Sequence, residues 1–190
     1  MNHLHQAIEI LKKGGIIIYP TDTAFGIGCR IDREDAIKRL FSIRNRPAAQ
    51  AVPVLVDSAD MAAGLFLSPL PARVRYLMRK YWPGALTIVY YCNREKVSAS
   101  VCGGGEMVGV RMPNHKTVLS LIKGAAIPIL GPSANFHGLP TPYKFKDLDA
   151  KLVKLVDYVL PGQCSIKNVS TVIDCSTARW RIIRQGAIKL

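Results

Sequence analysis

The apolar positions of the chain predict an α/β fold that opens with a helix followed by a strand. Apolar residues recur at helical spacing from Leu4 to Leu11, and after Gly14-Gly15 the run Ile16 to Tyr19 is typical of a short buried strand. The same spacing predicts helices that begin near residues 36, 71, 115 and 145 and end near 43, 80, 123 and 154. Apolar and β-branched runs predict further strands at 51–56, 85–91, 108–110, 127–130, 156–160, 171–173 and 180–183.

The order of these elements predicts a twisted mixed sheet with flanking helices. The segments 85–110 and 156–183 each hold two strand candidates in succession, so a purely parallel, doubly wound sheet is disfavoured. The length of 190 residues suits one sizeable core, and no linker-like stretch divides the chain. We therefore expect a single domain over residues 1–190.

The charge balance points to anionic ligands. Lysine and arginine total 26 against 13 acidic residues, which gives a formal net charge of +13. A field of this sign attracts nucleotides, RNA and acidic membranes alike. Because the basic residues are spread along the chain, the charge alone does not assign one partner.

Membrane and disulfide-rich classes are disfavoured by the apolar runs and the cysteine pattern. The longest apolar runs fall well below the roughly 20 residues of a membrane span, and the N-terminus lacks the features of a signal peptide. The five cysteines include no CxxC pair, which suggests reduced thiols rather than a disulfide framework or a zinc site. We expect a cytoplasmic protein without a membrane partner.

No conventional nucleotide motif is present. The chain has no GxxxxGK[ST], and Gly26-Ile27-Gly28 lacks the third glycine of the dinucleotide fingerprint. The polar turn Thr21-Asp22-Thr23, between a strand and this glycine-rich segment, offers hydroxyl and backbone N–H groups for a carboxylate or phosphate. Without further context, a simple tight turn is the favoured interpretation of this segment.

Arginines at the ends of predicted elements are the next candidates. Arg44 and Arg46 stand where a helix ends and are suited to grip successive phosphates, although arginines also stabilise a helix C-terminus by themselves. Gln50 adds an amide nearby. Arg111 ends an apolar strand, where it is suited to bind a carboxylate, although an exposed arginine at a strand end is the commoner case.

Hydroxyl and amide groups complete the candidate set. Ser133 and Asn135 follow a predicted strand and are suited to contact ribose or phosphate, although the segment would be unremarkable as a plain loop. Ser170 and Arg184 flank the last predicted strand pair, where each is a weak signal alone. The histidines show no HExxH spacing and Ser133 is not in a GxSxG elbow, which disfavours a zinc hydrolase or a serine esterase.

Seven motifs in order resemble the YrdC (threonylcarbamoyl-AMP synthase) family over about residues 16–186. They are YPTDTAFGIGC, IRNRP, WPGALTIV, VGVRMP, GPSAN, STVID and IRQG. The resemblance implies a twisted mixed sheet curled around a positively charged cavity. It also implies synthesis of threonylcarbamoyl-adenylate and pyrophosphate from L-threonine, bicarbonate and ATP with Mg2+. A separate transferase would use the product to form N6-threonylcarbamoyladenosine at position 37 of tRNA.

The resemblance also implies residue roles. It assigns Thr23, Arg111 and Ser170 to threonine, and makes Arg44 and Arg46 the catalytic pair, with no metal ligand from the protein. To ATP it assigns Arg46, Gln50, Ser133, Asn135, Thr141 and Arg184. The chain departs from the family pattern at Arg44, where lysine is usual, at Gln50, where lysine or asparagine is usual, and at His137, where serine is common.

Two alternatives remain open. The first is an RNA-binding module without catalysis, motivated by the +13 charge and by double-stranded RNA binding among some relatives. Such binding would depend strongly on salt and not on threonine. The second is an enzyme that uses carbamoyl phosphate and ATP, as related domains inside larger carbamoyltransferases do.

Overall fold

The computed structural model describes residues 2–190, so that Met1, where the expected domain begins, lies outside it. The helices of the described chain are α1 (His3–Lys12), α2 (Glu34–Ile43), α3 (Ala59–Leu65), α4 (Ala72–Tyr81), α5 (Lys116–Ala125) and α6 (Ala150–Leu155), with a short 3-10 turn at Phe145–Asp147. The strands are β1 (Ile17–Tyr19), β2 (Gly26–Gly28), β3 (Val54–Leu55), β4 (Leu86–Tyr91), β5 (Met107–Arg111), β6 (Ile129–Leu130), β7 (Tyr158–Val159), β8 (Thr171–Asp174) and β9 (Arg181–Arg184).

The strands form two mixed sheets. The larger sheet has the order β6-β3-β5-β4-β8-β9, in which β3 runs parallel to β5, and β4 parallel to β8. The smaller sheet has the order β2-β1-β7. Isolated bridges from Gly26 to Ser133 and from Arg30 to Ile129 join β2 and its flanks to the β6 region. The predicted mixed α/β fold with flanking helices is thus confirmed, although the strands divide into two hydrogen-bonded sets rather than one.

Three local predictions are corrected by the structure. Strand β2 was not predicted because Gly-Ile-Gly carries no apolar run. Helix α3 was missed because its apolar face is small, and its start depends on Ser58, whose side chain accepts a hydrogen bond from the Met61 N–H. The helix predicted over 145–154 is interrupted: Asp149 caps a new helix by accepting from the N–H groups of Lys151 and Leu152, so α6 begins at Ala150.

Two clusters of buried side chains support the sheets. The larger includes Leu86, Ile88 and Val110 from the central strands of the larger sheet. The smaller lies between α1 and α5, where Ala7 and Leu11 pack with residues such as Leu121. The helical spacing read over residues 4–11 therefore marks the face of α1 that contacts α5.

All five cysteines are buried and free. None of the helices between residues 2 and 190 combines the length and the apolar character that a membrane crossing requires.

Close backbone approach explains the second glycine of β2. A Cβ atom placed on Gly28 would lie 1.9 Å from the carbonyl oxygen of Leu130. We expect Gly28→Ala to lower the free energy of unfolding by about 3 kcal/mol, because the backbone carbonyl cannot move aside without breaking the junction of the two sheets. Urea unfolding measures the change. Gly64→Ala in α3 is the control, since its Cβ meets open space and alanine favours helix; equal effects at both positions would contradict this explanation.

Candidate functional site

A cavity of about 490 Å³ lies between the larger sheet and the loops around it. Strands contribute Thr87, Arg111 and Arg184 to its lining, while the turn after β1 contributes Thr21 and Thr23. Its other polar lining residues come mainly from the segments that follow α2, β6 and β7: Arg44, Arg46, Ser133, Thr141 and Ser170. Four arginines therefore line one cavity.

The turn after β1 is preorganised by its own hydroxyl groups. The Thr21 Oγ1 accepts from the backbone N–H groups of Thr23, at 3.1 Å, and Ala24, at 3.2 Å, and donates to the Ala24 carbonyl at 2.7 Å. These bonds replace those that a longer strand would provide. The turn is therefore held in one conformation, with the Thr23 hydroxyl at the cavity.

Arg111 is buried at the end of β5 and is held from three directions. Its Nε donates to the Gly84 carbonyl at 2.9 Å and its Nη1 to the Thr23 Oγ1 at 2.7 Å, while Nη2 forms an ion pair with the Asp22 carboxylate. Burial lowers the pKa of Arg111, and the neighbouring Asp22 opposes that shift. The guanidinium is thus fixed where a carboxylate ligand can meet it.

A second polar cluster joins β4, β8 and β9. The Thr87 and Ser170 hydroxyls lie 2.9 Å apart. The Arg184 Nε and Nη2 donate to the Ser170 carbonyl at 3.1 and 2.9 Å, and Nη2 also donates to the Ser170 Oγ at 3.0 Å. Desolvation lowers the pKa of Arg184. Although Arg184 lies on an edge strand, these contacts fix its guanidinium at the cavity.

The end of α2 directs two arginines to the cavity. Asn45 takes a left-handed conformation with φ of 51°, which turns the chain between Arg44 and Arg46. The Arg44 side chain is buried; its Nε donates to the Asn135 carbonyl at 3.0 Å, and its Nη1 has no hydrogen-bond partner within residues 2–190. Burial, with the charge of Arg46 as the second cause, lowers the pKa of Arg44 to about 10. A bound anion would satisfy this unpaired nitrogen.

Arg46 is held by backbone carbonyls. Its Nε donates to the carbonyl of Gln50 at 3.3 Å, and its Nη2 to that of Ala51 at 2.6 Å. Partial burial lowers its pKa. No described carboxylate pairs with Arg44 or Arg46, so both charges remain available to a ligand.

Two residues of the predicted site lie outside the cavity lining. Asn135 is buried beside it, and its Nδ2 donates to the carbonyls of Phe136, at 3.0 Å, and Leu139, at 2.6 Å. Asn135 therefore shapes the loop that supports Arg44. Gln50 is exposed, and it is its backbone carbonyl that contacts Arg46. The other eight predicted residues, Thr23, Arg44, Arg46, Arg111, Ser133, Thr141, Ser170 and Arg184, all line the cavity.

Sequence reasoning did not select Asp22, Thr87 or Glu106 as site residues. Thr87 and Glu106 line the cavity, and Asp22 pairs with Arg111 behind it. Asp22 lies inside a motif quoted above, so its charge between two threonines was an available signal. Thr87 also lies inside a quoted motif, WPGALTIV, but a threonine inside an apolar strand is an ordinary β-branched residue and gives no signal of its own.

The lining favours anion binding over covalent catalysis. Cys102 is the cysteine at the cavity, but burial, followed by its contact with Cys92, raises the pKa of its thiol to about 12. The thiol is therefore protonated near neutral pH and is a poor nucleophile. Fixed guanidinium and hydroxyl groups instead suit the binding and orientation of several anionic groups together.

The fold and the cavity define a mixed α/β protein with an arginine-lined cavity. Residues 9–186 match the protein family Sua5_yciO_yrdC, whose description is "Telomere recombination". The chain belongs to this Sua5/YciO/YrdC family, as the seven motifs indicated.

Three known proteins illustrate the similarity. The chain is 35% identical to the threonylcarbamoyl-AMP synthase of Bacillus subtilis, over 96% of this chain and 53% of that protein. It is 28% identical to the threonylcarbamoyl-AMP synthase of Vibrio parahaemolyticus, over 98% and 100%. The structure of P. abyssi Sua5 complexed with L-threonine superposes with a TM-score of 0.89 at 29% identity, over 98% of this chain and 55% of that one. The chain thus spans about half the length of the B. subtilis and P. abyssi proteins.

Proposed function

We propose that the protein forms threonylcarbamoyl-AMP and pyrophosphate from L-threonine, bicarbonate and ATP, and is thus an L-threonylcarbamoyladenylate synthase. The observation that carries the proposal is one cavity that a buried, fixed Arg111 lines together with three further arginines. A carboxylate, a bicarbonate-derived group and a triphosphate repel one another in water. A cavity that supplies fixed cationic groups to all three offsets that repulsion.

Threonine would occupy the part of the cavity near Arg111. The free N–H groups of Arg111 would bind its carboxylate, and the hydroxyls of Thr23 and Ser170 would contact its polar groups. The P. abyssi relative with L-threonine bound supports threonine as a ligand, because its fold is closely similar. Bicarbonate would lie next to the threonine amine.

ATP would occupy the arginine-rich remainder of the cavity. Arg44 and Arg46 would bind the phosphates, and Ser133, Thr141 and Arg184 would contact the nucleotide. Asn135 would act through the loop that it shapes, and Gln50 would reach ATP only if its side chain turned inward. Glu106 is the carboxylate at the lining, and within the described chain no three potential metal ligands cluster, so Mg2+ would arrive on the phosphates of ATP.

The proposed reaction needs no covalent intermediate on the protein. The threonine amine would capture bicarbonate-derived CO2 as a carbamate, and a carbamate oxygen would attack the α-phosphorus of ATP. Pyrophosphate would leave from the opposite side. Arg44 and Arg46 would stabilise the charge that develops on the phosphates, which is the catalytic role proposed for them.

The remaining expectations are part of the same proposal. The chain would act in the cytoplasm as one domain, and a separate transferase would move the threonylcarbamoyl group to position 37 of tRNA. The alignment with the V. parahaemolyticus relative covers that whole protein, at 28% identity.

A second candidate is RNA binding, as an added property or as the sole function. A groove beside the cavity is lined by Tyr143, Phe145 and three lysines, Lys144, Lys146 and Lys167. Phe145 is 53% exposed, and none of these lysines forms an ion pair with the described residues. Exposed aromatic rings next to unpaired cations suit stacked bases and phosphates.

Pyrophosphate release is the test of the synthase. We expect release from purified protein with ATP, Mg2+ and bicarbonate that rises at least about tenfold on adding L-threonine, and about tenfold less on adding the same subsaturating concentration of serine, because the extra methyl group of threonine contributes binding. Omitting bicarbonate should abolish the threonine-dependent release.

The other outcomes identify the alternatives. Release that requires carbamoyl phosphate instead of threonine and bicarbonate would contradict the proposal in favour of a carbamoyl-transfer enzyme. Folded protein that releases no pyrophosphate but binds RNA with strong salt dependence would favour the binding module.

A further inference from the structure

The carboxylate of Asp22 is a buried charge with one ionic partner. Its residue is 1% exposed, and within residues 2–190 it pairs ionically with Arg111 alone. Its second oxygen, Oδ2, is buried and accepts no hydrogen bond from any described group. The carboxylate does not line the cavity, whereas Thr21 and Thr23 on either side of it do. Asp22 therefore acts on a ligand through Arg111 and through its charge.

The ion pair leaves Arg111 with N–H groups that can bind a ligand, but Arg111 and Asp22 together carry little net positive charge. A guanidinium has five N–H donors, and three are used by Gly84, Thr23 and Asp22, so that Nη1 and Nη2 each keep one. The negative charge of Asp22 meanwhile offsets the positive charge of Arg111 within a poorly solvated environment. A plain carboxylate that binds there brings the local charge of the three groups to minus one.

A zwitterionic ligand avoids the free-energy cost of this excess negative charge. An α-amino acid brings its own ammonium group beside its carboxylate, so the local charge stays balanced on binding. The positive charge of Arg184, which is held on Ser170, further lowers the pKa of Arg111. Within the described residues Asp22 is the carboxylate that pairs with Arg111, so its negative charge opposes the binding of an anion at this guanidinium.

We propose that Asp22 is a specificity-determining residue: by offsetting the charge of Arg111 it makes the threonine subsite select zwitterionic α-amino acids over carboxylates that lack the amine. The inference rests on the proposed function, because it names how the threonine subsite chooses its ligand. The selection has a purpose in the reaction, since an amine-free carboxylate would occupy the subsite without supplying the nitrogen that forms the carbamate.

Isothermal titration calorimetry tests the proposal with L-threonine and with 3-hydroxybutanoate, which is threonine without its amine. Wild-type protein should bind threonine at least about tenfold more tightly than 3-hydroxybutanoate at neutral pH. In Asp22→Asn, which keeps the side-chain shape and removes the charge, this ratio should fall about tenfold, because the analogue gains affinity while threonine does not. Asp57→Asn, outside the cavity lining, is the matched control and should keep the wild-type ratio.

The outcomes separate this inference from the proposed function. If the wild type binds threonine and releases pyrophosphate but the ratio is unchanged in folded Asp22→Asn, the inference is overturned and the synthase stands. Wild-type affinities for the two ligands within threefold of each other overturn the inference without any variant, so the test holds even if Asp22→Asn and the further variant Asp22→Ser do not fold. Absence of threonine binding by the wild type overturns both. A merely structural role of Asp22 would change affinity for both ligands equally and leave the ratio unmoved.

Discussion

Replacing Arg111 with methionine is expected to lower the free energy of unfolding by about 3–5 kcal/mol and to abolish threonine binding. The residue is 6% exposed, and its guanidinium is the ionic partner of a carboxylate that is itself buried. Methionine fills much of the volume but leaves Asp22 charged and unpaired. A buried charge without a partner accounts for most of the stability lost when a buried ion pair is broken. Urea unfolding monitored by circular dichroism measures the stability, and calorimetry measures the binding.

The double variant Asp22→Asn, Arg111→Met separates the two effects. Removing both charges should restore more than half of the lost stability, because a neutral amide is far cheaper to bury than a carboxylate. Threonine binding should remain absent, since the carboxylate has lost its guanidinium. If the double variant is no more stable than Arg111→Met, the stability of this region does not depend on the ion pair.

Replacing Arg46 with alanine is expected to reduce threonine-dependent pyrophosphate release about a hundredfold or more while the protein remains folded. The guanidinium is only partly buried and is fixed by the carbonyls of Gln50 and Ala51, so the fold does not depend on its charge. Its loss removes a preorganised cation from the proposed phosphate site. The assay is pyrophosphate release at saturating ATP, with circular dichroism to confirm the fold.

Arg79→Ala provides the control for Arg46. Arg79 is exposed on α4 and outside the cavity, but its removal changes the net charge of the protein by the same amount. We expect turnover of this variant to stay within about twofold of the wild type. Normal turnover by Arg46→Ala would show that Arg46 is dispensable, whereas equal losses in both variants would trace the effect to the overall field of the protein.

The sequence predicted those helices and strands whose pattern of apolar residues directly reflects which of their faces are buried. Helix α1 shows its buried face as a periodic stripe, and β4 and β5 are apolar because both of their faces are largely covered. It failed for α3, whose apolar face is small, and for β2, whose Gly-Ile-Gly segment carries no apolar run; β2 pairs with β1, and the requirement for glycine at position 28 comes from the Leu130 carbonyl, more than a hundred residues away in the chain. Local patterns carry no record of such a contact.

The candidate site likewise has features that the sequence predicted and features that it did not. The order of the motifs and the position of polar groups at the ends of elements selected four residues that the structure places in one cavity: Arg46, Arg111, Ser170 and Arg184. The exclusion of the Gln50 side chain from the cavity was not readable, because a backbone turn decides which part of that residue faces Arg46.

By itself, the sequence determined the mixed α/β class, the family and the kind of chemistry the site holds, because residue types and their order along the chain fix which groups are present. Only the tertiary structure decided which charges are paired. Arg111 is paired with Asp22 while Arg44 keeps a buried nitrogen unpaired, although both are arginines at the end of an element. The physical reason is that an ion pair depends on a few ångströms of separation and on burial, both of which arise from contacts between segments distant in sequence.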